Sequence, residues 1–212
     1  MNVKKIIVLF LLLILAFSLV SCGGGSNNKD SDKFEFGQDY INNNLKGDYW
    51  IIYNTTYWEN GKSNTSSLEM IKTDKGYYYG EAGENGVLYI KNGDKYDVYY
   101  QGGDAYESSG FQFDPEMVES MMLGITGYMN NYASYSSGMK KAGSETVAGR
   151  NCEKYTFGMT FPIKYQAVYC IDKETGVCMK LTMEVDAGGQ KAGYEFECTK
   201  FQTSNVSLPK YN

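Results

Sequence analysis

Closely spaced turn signals divide most of this sequence into short runs rich in Tyr, Val, Ile and Thr. Asn60-Gly61 lies between two such runs, and an Asn-Gly pair in that setting is the strongest short-range signal for a β-hairpin. We therefore predict strands over about 49–58 and 63–73. Three further turn signals, at 74–76, 84–86 and 92–94, delimit three more short runs. The first half of the chain is predicted to be an antiparallel meander of five strands.

Four more strands are predicted in the second half of the chain. Their sequences are CEKYTFGMTF, KYQAVYCID, GVCMKLTMEVD and AGYEFECTKFQ, and the loop over 172–176 joins the middle two. If Ile171 faces Val177 across that hairpin, Cys170 faces Cys178 directly.

A predicted helix interrupts the strand pattern in the middle of the chain. Asp114 is a suitable N-cap, and Pro115 fits the first helical position. Apolar side chains then recur at spacings of three and four, which predicts a helical insertion over 114–133 with one apolar stripe. Such a stripe suits a helix that covers a sheet, whereas unbranched methionines also suit an irregular apolar ligand, and both interpretations stay open. The residues predicted to form an apolar, ligand-binding lid are Met117, Met121, Met122, Ile125 and Met129.

The N-terminus has the three-part layout of a bacterial signal peptide. Lys4 and Lys5 precede an apolar run over 6–17, and small residues lead to Cys22. The run is shorter than the roughly 20 apolar residues that a membrane-spanning helix needs. The segment Leu-Val-Ser-Cys that ends at Cys22 resembles the lipobox of bacterial lipoproteins, which implies cleavage before this cysteine and a lipid anchor on its thiol.

These signals define three regions of the chain. Residues 1–21 are the predicted signal peptide, and 22–36 are the lipidated cysteine and a flexible tether that has almost no apolar side chains to bury. Residues 37–212 form a single predicted domain. The expected location is extracytoplasmic, with the chain anchored to a bacterial membrane through lipid on Cys22.

The composition excludes several classes of function. The chain contains no histidine, which removes Ser-His and Cys-His nucleophilic sites and His-ligated zinc. Carboxylates such as Asp172 and Glu174 fall in predicted turns, where we expect them to be solvated. The formal charge is −5, and Arg150 is the only arginine, which disfavours nucleic acid. We expect no enzymatic activity, no metal, no cofactor and no nucleic-acid partner.

Four cysteines remain when Cys22 is assigned to lipid. An even number in an exported domain favours two disulfides with three possible pairings, and free buried thiols are the alternative. The candidates are Cys152, Cys170, Cys178 and Cys198.

The order of elements and several short motifs resemble the LolA/LolB-type lipoprotein-carrier superfamily. The motifs are GSETVAGRNCEKYTF, YCIDKETGVCMKL and FECTKF, all in the second half of the chain. The resemblance covers roughly residues 40–203. It implies an α+β, mainly antiparallel β fold, in which a Met-rich helical lid covers a curved half-open β-barrel of about nine strands that encloses a cavity for acyl chains. Carriers of this family hold the lid with an arginine on an early strand, whereas Arg150 lies in a later turn, so lipid binding in general is implied rather than lipoprotein shuttling.

The expected function is therefore non-catalytic binding of a lipid, a lipoprotein acyl chain or another amphiphile in an apolar groove. The alternative is a structural or adhesive cell-envelope lipoprotein, whose core is filled by its own side chains and whose Tyr-rich outer face contacts a protein partner.

Overall fold

One antiparallel sheet of eleven strands makes up most of the structure. The computed structural model describes Phe36 and residues 38–84, 86–102, 105–119, 138–160 and 164–212. The predicted signal peptide, Cys22 and most of the predicted tether lie outside these residues. The described elements are helix α1 (Gln38–Asn44) and strands β1 (Tyr49–Glu59), β2 (Lys62–Thr73), β3 (Gly76–Gly80), β4 (Gly86–Asn92), β5 (Lys95–Gly102), β6 (Ala105–Phe113), β7 (Lys140–Val147), β8 (Arg150–Met159), β9 (Lys164–Asp172), β10 (Cys178–Ala187) and β11 (Gln190–Gln202).

The sheet consists of two meanders that meet at its centre. The strand order is β6-β5-β4-β3-β2-β1-β11-β10-β9-β8-β7, so every strand lies beside the next in sequence except β6 and β7, and β1 pairs with β11 at the centre. The two edges are β6 and β7, and the connection over 114–139 joins one edge to the other. The first and the last strand of the domain thus form the central pair.

The hairpin predicted around Asn60-Gly61 is confirmed. Both turn residues have positive φ, 47° and 81°, and Glu59 pairs with Lys62 across the turn. A two-residue turn of this type requires positive φ at both positions, which Asn and Gly adopt at low cost. The turn residues therefore fix the register of β1 against β2.

The prediction of about nine strands in a half-open barrel is wrong. The sheet is open and has eleven strands, because both edge strands, β6 and β7, escaped prediction. Their residues are mostly exposed, with little alternation between apolar and polar side chains. An edge strand is commonly short, polar and charged, which limits edge-to-edge association but removes the period-two signal.

The Met-rich helical lid predicted over 114–133 is also wrong. The helix begins at Pro115 as expected, and the amides of Met117 and Val118 donate to the carbonyl of Asp114, but the described helical residues are 115–119 only. Met117 is 50% exposed, whereas Val118 is fully buried in the core. Consecutive helical residues point about 100° apart, so this turn directs Val118, and not Met117, at the sheet. Among the described residues, no helix is both long and apolar enough to span a membrane.

One face of the sheet, here called the core face, carries most of the buried side chains. Tyrosines contribute much of it, and Val118 and Met139, near the two ends of the 114–139 connection, join the same core. Ten described tyrosines are buried, eight of them on the core face, and the Tyr-rich outer face expected for the alternative function stays a prediction. The buried tyrosines of the core face are Tyr49, Tyr53, Tyr77, Tyr89, Tyr96, Tyr155, Tyr165 and Tyr169.

The opposite face of β1–β6 holds a second, smaller apolar cluster. Its buried members include Ile71, Tyr78 and Leu88, and the C-terminal tail packs against it through Val206 and Leu208. The tail also pairs with the edge strand, since the amide of Tyr106 donates to the carbonyl of Lys210 at 3.1 Å and the amide of Asn212 donates to the carbonyl of Tyr106 at 3.0 Å. The tail thus covers apolar surface and part of an exposed edge at once.

Replacing Leu208 with alanine is expected to lower the free energy of unfolding by about 1–2 kcal/mol. The side chain is only partly buried, so the loss falls below the roughly 2–5 kcal/mol of a fully buried Leu→Ala change. Urea denaturation measures it, with the exposed neighbour change Ser207→Ala as the matched control, for which the expected change is under about 0.5 kcal/mol. Equal midpoints for the two variants would show that the tail does not pack on the sheet.

Candidate functional site

A cleft of about 470 Å³ opens on the core face. It lies near one end of five neighbouring strands, β11, β1, β2, β3 and β4. Its volume falls within the roughly 300–1,000 Å³ typical of small-molecule sites. The residues that line it are Thr55, Ser66, Ser67, Leu68, Tyr79, Gly80, Glu81, Gly86, Val87 and Phe196.

The apolar wall of the cleft consists of Leu68, Tyr79, Val87 and Phe196. All four are partly buried and pack against the main core. The strand pairing explains why they converge: Leu68 lies opposite buried Tyr53, and Val87 lies opposite Tyr79, so each side chain emerges on the core face. The wall thus continues the core, and the rest of the protein does not fully cover its four side chains.

A row of aromatic rings extends this wall along the sheet. Phe196 stacks with Tyr194, with ring centroids 6.2 Å apart, and Tyr194 contacts Tyr57 at 4.9 Å. Tyr57 and Tyr194 are both only partly buried. Burial raises the pKa of Tyr57 to about 12, and its hydroxyl donates to a carboxylate oxygen of Glu59 at 3.1 Å. The apolar surface beside the cleft is therefore elongated rather than round.

Hydroxyl groups form the polar side of the cleft. The Oγ1 atom of Thr55 and the Oγ atom of Ser66 lie 2.7 Å apart in a hydrogen bond across the β1–β2 pair. The Oγ atom of Ser67 accepts a hydrogen bond from the amide of Ala82 at 3.1 Å. This bond ties the turn between β3 and β4 to β2, next to the opening of the cleft.

Of the described residues that line the cleft, only Glu81 carries a charge. It is exposed, and it begins the turn between β3 and β4, in which the amide of Glu84 donates to the carbonyl of Glu81 at 3.0 Å. Two carboxylates thus lie in the one turn that borders the opening. We call this turn, with Glu81 and Glu84, the acidic turn.

The structure does not place the predicted lid residues in this cleft. Met117 is exposed and is not among the lining residues. The other predicted lid residues, Met121, Met122, Ile125 and Met129, lie outside the described residues, as does the lipidation residue Cys22.

The four candidate disulfide cysteines lie at one end of β8, β9, β10 and β11, all buried and all present as free thiols. The predicted pairing of Cys170 with Cys178 across the hairpin is wrong by one position. Cys178 pairs with Ile171, and Lys180 pairs with Cys170, because a β-bulge shifts the register between Cys178 and Lys180. The expected disulfides stay a prediction.

Each thiol has its own hydrogen-bond acceptor and a raised pKa. Cys170 donates to a carboxylate oxygen of Glu145 at 3.7 Å, and Cys198 donates to the carbonyl of Lys200 at 3.1 Å. Burial raises the pKa of Cys152 and Cys198 to about 12 and that of Cys170 to about 11, and it also raises the pKa of Cys178. The thiols are therefore protonated and unreactive near neutral pH. Within the described part of the chain, no grouping of Cys, Asp and Glu is arranged to hold a metal ion.

An ion pair with a buried carboxylate and a partly exposed guanidinium joins the two longest motifs of the sequence. Arg150 donates from Nε to Oδ1 of Asp172 at 3.1 Å and from Nη2 to Oδ2 at 2.7 Å, and a further bond at 2.9 Å reaches Glu174. The prediction of a solvated Asp172 is wrong, since its side chain is 1% exposed, whereas Glu174 is exposed as expected. Asp172 also accepts hydrogen bonds from the amide and hydroxyl of Thr175, so its carboxylate holds the hairpin turn and the Arg150 turn together.

Sequence reasoning missed the cleft residues entirely. Leu68, Val87 and Phe196 come from strands far apart in sequence, and each looks like an ordinary core position in its own strand. The one available signal was that Phe196 alternates with the buried cysteine of FECTKF, which places both on the core face. Only the sheet order brings the three side chains together.

The fold and the cleft together define a class of protein. It has a single antiparallel sheet with apolar side chains packed on one face, and a cleft large enough for a ligand remains on that face. No protein-family model and no curated protein sequence matches the chain.

Several solved structures are similar to the chain at low identity. MucB has a TM-score of 0.43 and 12% identity over 81% of this chain, which spans 60% of the MucB chain. A LolA superfamily protein from Nitrosomonas europaea has a TM-score of 0.31 and 6% identity, covering 82% of this chain and 96% of that protein. A putative outer membrane lipoprotein-sorting protein domain from Vibrio parahaemolyticus has a TM-score of 0.24 and 10% identity, covering 79% and 90%. At these scores none of them assigns a family or a function to the chain.

Proposed function

We propose that this protein is a membrane-anchored extracytoplasmic lipoprotein that binds an amphiphile, without catalysis, in the cleft between Leu68 and Phe196. The observation that supports the proposal is the partly buried apolar wall of a cleft of about 470 Å³ on an otherwise filled face. Each of these side chains packs on the core on one side and borders the cleft on the other. Covering the open side with an apolar ligand is favourable, because it removes apolar surface from water.

The shape and size of the apolar surface favour a single acyl or alkyl chain. The row Phe196, Tyr194 and Tyr57 gives the cleft an elongated apolar extension. Each CH₂ group that leaves water contributes about 0.8 kcal/mol, so a chain of moderate length suffices for micromolar affinity after the entropic costs of binding.

The polar groups of the cleft support binding rather than catalysis. The Thr55 and Ser66 hydroxyls bond to each other, and the chain has no histidine to activate either of them. The two hydroxyls hydrogen-bond to each other, so the ligand meets an uncharged polar surface on this side of the cleft.

The predicted signal peptide and lipobox support the anchoring part of the proposal. With lipid on Cys22 and a tether over 22–36, the domain stays at a membrane surface, where amphiphiles are available. Metabolic labelling of the expressed chain with a radioactive fatty acid, with and without Cys22→Ser, tests this part independently of ligand binding.

Substitution of Leu68 with glutamate is expected to weaken amphiphile binding by at least about tenfold, because it removes an apolar contact worth about 1.5–3 kcal/mol and places a charge in the wall. The measurement is binding of a fluorescent neutral apolar dye to the chain from residue 22 with Cys22→Ser, followed by native mass spectrometry of the protein as purified from a bacterial host. Thermal melting of the variant confirms that it remains folded.

The matched control is Asn54→Glu. Asn54 is exposed and follows Tyr53, the residue opposite Leu68, but its side chain points to the other face of β1. We expect its dye affinity to equal that of the unmodified chain. Protein that is consistently empty and does not bind the dye would refute the proposal.

The second candidate, a structural envelope protein with a self-filled core, is favoured by one observation. Most of the core face is already filled by the protein's own side chains, including Val118 and Met139. It predicts that Leu68→Glu and Asn54→Glu behave alike in the dye assay, since no ligand would contact either residue.

A further inference from the structure

The described charged side chains around the cleft are all acidic. Glu81 is the only charged residue among the described residues that line it, and Glu84 lies in the same turn. Both side chains are exposed carboxylates. No lysine and no arginine is among the described residues that line the cleft.

The acidic turn is held in place beside the cleft and does not simply project into solvent. The amide of Ala82, next to Glu81, donates to the Oγ atom of Ser67 on β2, and the amide of Glu84 donates back to the carbonyl of Glu81. Gly80, which precedes the turn, and Gly86, which follows it, pair across β3 and β4 and both line the cleft. The backbone that carries the two carboxylates is thus held beside the cleft by one hydrogen bond to β2 and one within the turn.

The other charged residues on this face do not oppose the acidic turn: Glu107, which lies opposite Tyr100 on β6, is also acidic and exposed. Glu59 and Lys62 lie directly opposite one another at the far end of the β1–β2 hairpin, so they add no net charge near the opening. The uncompensated charges nearest the cleft are therefore negative, and Glu81 of the acidic turn lines it.

We propose that the amphiphile of this cleft has a positively charged amine at its polar end, and not a phosphate or a carboxylate. The inference rests on the proposed function, because it assigns a headgroup to the same ligand. An apolar chain along Leu68 and Phe196 places its polar end at the rim, where the carboxylates of Glu81 and Glu84 attract a cation and repel an anion.

Three probes with the same twelve-carbon chain test the headgroup: dodecyltrimethylammonium, dodecyl maltoside and dodecyl phosphate. Each displaces the neutral dye from the chain from residue 22 with Cys22→Ser, at concentrations below micelle formation and at low ionic strength. The same series is run on a Glu81→Gln/Glu84→Gln variant, in which the shape of the turn is kept and both charges are removed.

The cationic probe is expected to displace the dye at a concentration about two- to fivefold lower than the neutral probe, and the anionic probe at one about two- to fivefold higher, which is the range for exposed ion pairs. In the double variant the displacement concentrations of the three probes should converge. Raising the salt concentration to about 1 M should also narrow the difference in displacement concentration between the charged probes, because the Debye length is then about 3 Å.

An anionic probe that binds as tightly as the cationic one, or an order of affinity that the double variant leaves unchanged, would overturn the headgroup assignment while leaving the cleft as a lipid site. Failure of the dye and of all three probes to bind would instead refute the proposed function, and the headgroup assignment with it.

Discussion

Replacing Arg150 with methionine is expected to lower the free energy of unfolding by about 3–5 kcal/mol, which is the usual effect of removing one partner of a buried ion pair. The carboxylate of Asp172 is 1% exposed and would lose both of its bonds to the guanidinium. Methionine has an unbranched apolar side chain that can pack near the ring of Phe201, whose centroid lies 5.2 Å from the guanidinium carbon, but it loses the cation–π attraction along with the ion pair. The loss therefore reports on the charge, and urea denaturation at pH 7 measures it.

The control for this prediction is Lys154→Met on the same strand. Lys154 pairs with Glu145 at 3.1 Å, but both side chains are 35% exposed, so the expected loss is under about 1 kcal/mol. Adding Asp172→Asn to Arg150→Met should recover part of the stability, since the buried carboxylate that lacks its arginine is then replaced by a neutral amide. A loss for Arg150→Met as small as for the control would show that water reaches Asp172.

Raising the pH from 8 to 10 is expected to lower the free energy of unfolding by about 5–6 kcal/mol, through the four buried thiols. Burial raises the pKa of Cys152 and Cys198 from 9.0 to about 12, and that of Cys170 to about 11. Unfolded thiols lose their protons near pH 9 while folded thiols keep theirs, so unfolding becomes more favourable as the pH rises. Each thiol contributes about 1.4 kcal/mol over this interval.

Urea midpoints at pH 8, 9 and 10, measured on the Cys22→Ser chain under reducing and non-reducing conditions, test this prediction. A Cys198→Ala variant should lose about 1.4 kcal/mol less over the interval, because one titrating group is gone. Stability that stays constant between pH 8 and pH 10 without reductant, and falls with it, would mean that the cysteines form the disulfides expected from the sequence.

The sequence predicted the strands that carry both a turn signal and a buried face. The Asn60-Gly61 hairpin is confirmed because the turn residues and the alternation in β1 and β2 specify the same register. Strands β6 and β7 were missed because edge strands lack a fully buried face, and AYESSGFQF and KKAGSETV therefore read as polar connections.

The functional residues were harder to predict than the strands. The methionine stripe gave a strong helical signal, yet the described part of that helix contributes Val118 to the core and leaves Met117 exposed. The cleft depends instead on β11 lying beside β1, a pairing between the ends of the domain that no local pattern encodes. Likewise, Asp172 reads as a turn residue until the sheet brings Arg150 beside it.

The pairing of β1 with β11 also governs when this domain can complete its fold. A chain made or delivered from its N-terminus can form the hairpins of its first meander early, since each depends on neighbouring residues. The central ladder, from Trp50–Gln202 to Glu59–Ala192, has to wait for the last strand and closes a loop of well over a hundred residues. Until that strand arrives, β1 presents an unpaired edge, and Phe196 is not yet in place to form its side of the cleft.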